Sequence, residues 1–267
     1  MREAAQMRTS EKLGLIPALN PNAPYASRLS ARSALYTDLH VLLDTSETSS
    51  SSSFRSLVID ENCLARDSVS ARKKIWTELK SRYILDTEHP LFAAFLREWR
   101  RSGSEAERGL TTYILLSLND RLVADLGTEW LFPLLRRAPA ELRVADIRGF
   151  IDSASMQHPE VGSWSDKTRT AVAQKYSASI RDFGLAKGTV KKVTIRPALY
   201  GAPVRLLIRA LRLVGVRPLD LVRARIFRLL ALNGPEVIDA LGELNRTDAL
   251  SFRIQGDVVE LRIEEEA

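Results

Sequence analysis

The chain has 267 residues, 45% hydrophobic and 27% charged, with a formal net charge of +6. That composition supports a globular core rather than a disordered tail, and the length suits one large domain or two smaller ones. A single cysteine, Cys63, excludes an internal disulfide and fits a reducing, cytoplasmic compartment. No apolar leader is visible, and no apolar run approaches the roughly 18–20 residues that span a bilayer, so no membrane partner is expected.

Residues 1–27 carry Pro17, Pro21 and Pro24 and read as an irregular arm. Residues 29–43 look helical, with Leu35, Leu39 and Leu42 at helical spacing. The tract 45–53 ends in five serines and is expected to be a mobile loop, since it has no apolar surface to bury. Residues 54–64 are a short amphipathic helix candidate with Cys63 as a small core residue. After the polar break Arg66-Asp67-Ser68, a second helix is expected from about 70 to 84. Ile75, Leu79 and Tyr83 would face inward, and Lys73, Thr77 and Lys80 outward, with Arg72 and Lys74 beside the first turn. Helix, short turn and basic helix is the layout of a helix-turn-helix.

Residues 90–150 read as helices with few chemical features, and Phe92, Phe95, Trp99, Trp130 and Phe132 are expected in the core. Ser163 and Asp166 match a capping box. Trp164, Thr168, Val172, Tyr176, Ile180 and Phe183 then form one helical stripe that Gly184 should terminate. Residues 185–195 read as a small hairpin bearing Lys187, Lys191 and Lys192, so that helix and hairpin together look like the recognition helix and wing of a winged-helix unit. Pro203 can open the next helix, with Val204, Leu207, Ile208, Leu211 and Val214 on one face and Arg205, Arg209 and Arg212 on one stripe. This arginine stripe is expected to face solvent or a partner. Residues 219–232 and 235–244 read as further helices, and 250–263 as a hairpin packed through Phe252, Ile254, Val259, Leu261 and Ile263. Its acidic end, Glu264-Glu265-Glu266, looks unsuited to DNA.

Charge is unevenly spread. Between residues 186 and 230 eleven basic residues oppose one acid, Asp220, a local net charge of +10 against −4 for the rest of the chain. A field so concentrated attracts polyanions. Catalytic signatures are scarce: His40, His89 and His158 are isolated, and no phosphate-binding glycine loop is present. The set Asp257, Glu260 and Arg262 only faintly resembles that of a metal-dependent nuclease, because the acids are too close in sequence and arginine replaces the usual lysine. No cofactor, metal or small-molecule substrate is expected.

Two segments resemble a known family. Asn62-Cys63-Leu64 with Ser68, Ser70, Arg72-Lys73-Lys74-Ile75, Leu79 and Arg82 is similar to the N-terminal motif of the BrxA family of bacteriophage-exclusion (BREX) systems. Trp164-Ser165, Thr168 and Phe183-Gly184-Leu185 extend the resemblance over roughly residues 54–200. It implies a compact, mostly helical protein, similar in part to the antitermination factor NusB, that binds DNA without known catalytic activity. The serine tract and the acidic C-terminal end have no counterpart in it.

Together these readings give a mainly α protein. Behind the arm 1–27, a helix-turn-helix or winged-helix-like lobe (28–89) precedes a helical lobe (90–267) with two small β-hairpins. The expected activity is non-enzymatic binding of double-stranded DNA through phosphate contacts. The expected DNA-binding residues are Arg72, Lys73, Lys74, Lys80, Lys187, Lys191, Lys192, Arg205, Arg209 and Arg212, with other BREX subunits as possible partners. The rival readings are a sequence-specific transcription regulator, and an assembly subunit whose arginine stripe docks an acidic partner.

Overall fold

Side-chain caps set six of the helix starts among the described residues. The computed structural model describes residues 14–48, 53–247, 250–256 and 258–263. Ser53 opens α2 (Phe54–Ile59), Ser68 opens α3 (Val69–Tyr83), and Ser104 opens α5 (Glu105–Asn119); each hydroxyl accepts a backbone N–H three residues on. Before them, α1 (Tyr36–Thr48) starts later than its leucine spacing suggests. Leu35 takes a positive φ of 59°, and the residues just before it form a 3₁₀ turn, Arg28–Ser30, in place of helix. The polar residues 45–48 belong to this helix, where Thr45 and Ser46 donate to the carbonyls of Val41 and Leu43. The rest of the serine tract, 49–52, lies outside the described residues. Helix α2 stops at Ile59, short of residue 64, and Cys63 sits half-buried in the turn beyond it, not in a helical core.

Helix α4 (Pro90–Arg101), α5 and α11 (Gly201–Leu213) form the centre of the molecule, each packed on the other two. Every residue of α5 from Gly109 to Leu118 is buried, and the Thr111 and Thr112 hydroxyls donate back to the Glu107 and Arg108 carbonyls. Phe92, Phe95 and Trp99 sit in this core, whereas Trp130 and Phe132 are half-buried at its edge. Apolar packing runs without a break from Ile16 through Leu79 and Tyr176 to Ile263, so residues on both sides of position 89 share one core.

Between α5 and the later helices come α6 (Arg121–Asp125), a π-helical turn (Leu126–Leu131), α7 (Phe132–Arg136), strand β1 (Glu141–Leu142), α8 (Val144–Ala154) and α9 (Pro159–Gly162). The long α10 (Asp166–Asp182) packs on α8 and on the Arg28–Ser30 turn. Its cap is Ser165, which accepts from the Thr168 N–H at 3.1 Å, rather than Ser163, whose hydroxyl donates to the Glu160 carbonyl. At the other end Gly184 (φ 79°) closes the helix: its N–H reaches the Arg181 carbonyl, and the Leu185 N–H reaches that of Ile180. This paired bonding needs a left-handed residue, which glycine adopts without strain.

Strands β2 (Ala186–Lys187) and β3 (Lys192–Thr194) pair antiparallel, with Ala186 opposite Thr194 and Lys187 opposite Val193. Strand β1 adds to the far side of β3, giving a three-stranded sheet in the order β1-β3-β2 that the hairpin pattern alone did not reveal. The expected helix over 219–232 is interrupted. Helix α12 (Pro218–Leu221) and a 3₁₀ segment (Arg225–Leu230) replace it, ended by Ala231 at a left-handed φ of 59°. Asn233 and Glu236 form a capping box at the start of α13 (Gly234–Arg246). The terminal hairpin β4 (Ser251–Gln255) and β5 (Val258–Arg262) has the expected pairing. Phe252, Leu261 and Ile263 are buried, but Ile254 is 43% exposed because it lies next to the turn, beyond the helices that cover the strand roots.

Candidate nucleic-acid interface

Helix α3 presents the charge pattern its sequence predicts. Ile75, Leu79 and Tyr83 are buried, and Lys73, Lys74 and Lys80 are exposed. Arg72 behaves differently: its Nη1 donates to the Ile59 carbonyl at 3.0 Å and ties α3 to the end of α2. Arg82, only 1% exposed, is wholly structural. It donates to the carbonyls of Arg28 and Arg32 at 2.8 and 3.1 Å, while burial lowers its pKa. Two bases of the N-terminal motif therefore hold the fold, and three lysines face water.

The β2–β3 hairpin is rooted firmly and projects freely. Thr194 anchors its base: its N–H donates to the Ala140 carbonyl at 2.8 Å, and its hydroxyl accepts from the Ala140 N–H at 2.9 Å. Lys187 and Lys191 are exposed, Lys192 is half-buried, and Val190 at the apex is 98% exposed. Lys191 Nζ comes no nearer than 4.0 Å to Glu141 Oε2.

The arginine stripe of α11 does not face outward as expected. Arg205 is 8% exposed and its Nε donates to Glu98 Oε2 at 2.7 Å; the Arg209 Nε donates to Glu98 Oε1 at 3.0 Å. Glu98, on α4, is fully buried and accepts from both. The mutual repulsion of stacked cations is thus relieved inside the protein, by an acid from the neighbouring helix. Arg212, at the end of α11, is exposed and donates to the Leu261 carbonyl, fastening the terminal hairpin. Arg209, Arg212 and Arg97 line one groove with Pro90, Ala93 and Leu213, and Arg100 and Arg101 continue it along α4. Residues 97–101 read Arg-Glu-Trp-Arg-Arg, and that cluster was the available sign of this groove in a stretch otherwise chemically plain.

The basic residues divide by type. Of the chain's nine lysines, eight are described, and all eight lie on α3, α10 or the β2–β3 hairpin. Among the described residues only Lys191 has an acid within ion-pair distance, at the 4.0 Å limit. Arginines of the +10 segment are mostly neutralised within the fold: Arg196 by Glu236, Arg205 and Arg209 by Glu98, Arg217 by Asp220, and Arg225 by Asp125 and Glu129. Arg228 lies over the Phe132 ring at 5.3 Å. Lys167 and Lys175 on α10 belong to the unpaired set, although their spacing in the sequence does not single them out.

The histidines serve local packing. His40 lies edge-on to Trp99, where burial lowers its pKa, and His158 stacks on Tyr25 with ring centres 3.6 Å apart. Asp257 lies outside the described residues; Glu260 and Arg262 are exposed on β5. Among the described residues no three His, Cys, Asp or Glu side chains group as metal ligands, and no helix is long and apolar enough to cross a membrane.

A family model described as BrxA matches residues 23–211 of the chain. No curated protein and no solved structure matches it.

Proposed function

Starting from the fact that the chain belongs to the BrxA family of bacteriophage-exclusion systems, we propose that it is a duplex-DNA-binding component of the defence machinery, acting without catalysis. The observation that carries this reading is the separation of lysine from arginine. Within the +10 segment five of the eight arginines pair with acids of the same chain, whereas the described lysines lack a close acid and most face solvent, on one helix, one helix flank and one projecting hairpin. A lysine ammonium is a compact, strongly hydrated charge suited to phosphate contact without fixed geometry. Phosphate contacts of this kind position a protein on DNA and carry no sequence information. Other subunits of the same system are the natural protein partners of a family member, and the cytoplasm is where such a protein meets phage DNA.

Binding of a fluorescent duplex at several salt concentrations tests the proposal. Neutralising about four to six phosphates gives a slope of log affinity against log salt of roughly −4 to −5, largely independent of sequence. A flat salt dependence, or no binding at low salt, overturns it. Strong preference for one operator sequence would instead establish the regulator reading. The remaining reading is an assembly subunit that docks an acidic partner. That reading requires a protein partner to be captured even by a variant that no longer binds DNA.

A further inference from the structure

The tip of the β2–β3 hairpin combines three features that DNA binding through scattered lysines does not require. Its apex is uncharged and narrow: Gly188, Thr189 and Val190 carry small side chains or none, and all are exposed. Val190 is 98% exposed, the most exposed large apolar residue among those described, and nothing in its own chain covers it. Lys187 and Lys191 flank this apex on either side.

The shape of the turn is fixed. Gly188 has φ 95°, and a Cβ placed there would lie 2.1 Å from the Lys191 carbonyl oxygen, so only glycine fits. Below the turn, Lys187 pairs with Val193, and β1 braces β3 from the other side, with Glu141 opposite Val193 and Leu142 opposite Lys192. A rigid root under a bare apolar tip presents one defined shape to whatever it meets.

We propose that this tip enters the minor groove of duplex DNA, with Val190 against the groove floor and Lys187 and Lys191 on the phosphates of the two walls. The proposal rests on the DNA-binding reading above. Dimensions support it. With axes about 4.8 Å apart, the paired strands themselves are too wide for a minor groove about 6 Å across, but an end-on apex of small residues can enter where a helix does not. The floor of an A·T minor groove carries no exocyclic amino group, and minor-groove proteins commonly present apolar side chains from that groove to the base steps. Val190 would be buried there, which accounts for an apolar residue held at the tip. The major groove, about 12 Å wide, would leave the tip loosely seated and Val190 still in water.

The test compares wild type with Val190→Ala on two duplexes of one A·T-rich sequence, one of them carrying 2,6-diaminopurine in place of adenine. The replacement adds an amino group to the minor-groove floor and leaves the major-groove edge unchanged. Wild type is expected to bind the ordinary duplex at low salt and to lose at least about tenfold in affinity on the modified one, an obstruction comparable with a mismatched site. Val190→Ala is expected to bind the ordinary duplex more weakly than wild type and to lose less on modification. Its melting temperature should match wild type, because the residue touches nothing in the fold. Netropsin, a minor-groove ligand, should displace the wild-type protein. Equal wild-type affinity for both duplexes, or indifference to netropsin, overturns the minor-groove proposal while leaving phosphate binding intact. Failure of wild type to bind either duplex at low salt overturns the DNA-binding reading itself, and the proposal with it.

Discussion

Two buried acids show how single residues set the stability of this fold. Glu98 is the common acceptor for Arg205 and Arg209 and has no exposure to water. Removing one partner of a buried ion pair strands the other charge, at a cost of about 3–5 kcal/mol. Glu98→Ala should lower unfolding free energy by that order in urea melts, and reversing Arg205, Arg209 and Arg212 to glutamate should prevent folding, since acids would then face Glu98. A folded, stable Glu98→Ala protein would contradict the pairing. Asp120, 2% exposed, caps α6 through the Val123 N–H and lies 3.7 Å from Arg28. Burial nevertheless pushes its pKa up to about 6, outweighing the lowering by Arg28, the cap bonds and Arg82. Its pKa is higher folded than unfolded, so the folded state holds the proton more tightly. This contribution to stability is present below about pH 4 and is lost as pH rises to about 6. Relative to Asp120→Asn, wild type should therefore lose on the order of 2–3 kcal/mol between pH 4 and pH 7, read from urea unfolding at each pH. An unchanged difference would place the Asp120 proton elsewhere.

At the scale of elements, α3 shows a periodic pattern translating directly into structure. Leu79 is fully buried between Ile75 and Tyr83 on the same face. Leu79→Ala should cost about 2–5 kcal/mol in thermal or urea unfolding, the range for deleting a buried leucine side chain. A cost below about 0.5 kcal/mol would mean that the site is not packed as described. The register of α3 was legible because burial and exposure alternate with the helical period over four turns. The limits of α1 and the break within 219–232 were not legible. Leu35, at positive φ, and Ala224, with an extended ψ of 126°, interrupt helical runs whose side chains would have allowed them to continue, and no glycine or proline marks either break. Strand β1 was missed for another reason: a two-residue strand has too few positions for an alternation, and its partner β3 lies some fifty residues away in sequence.

Over the whole molecule, the division of cations decides what a polyanion meets. Substituting alanine for Lys73, Lys74, Lys80, Lys187 and Lys191 should reduce the magnitude of the salt slope by about 0.9 for each phosphate no longer neutralised. Folding should be unaffected, because these side chains are exposed. Alanine at the internally paired Arg217 and Arg225 should leave the slope nearly unchanged. The opposite ranking in the same salt titration would return the DNA surface to the arginines.

The amino-acid sequence by itself determined the helical class, the inward faces of α3, α10 and α11, both hairpins and the family, because periodicity, caps and motifs act over a few neighbouring residues. Tertiary structure alone decided which arginines face solvent. Helical spacing places Arg205, Arg209 and Arg212 on one stripe, but it cannot show that a distant helix brings Glu98 against that stripe. Whether a charge is available to a partner depends on its nearest opposite charge in space, and here that neighbour is 107 residues away along the chain.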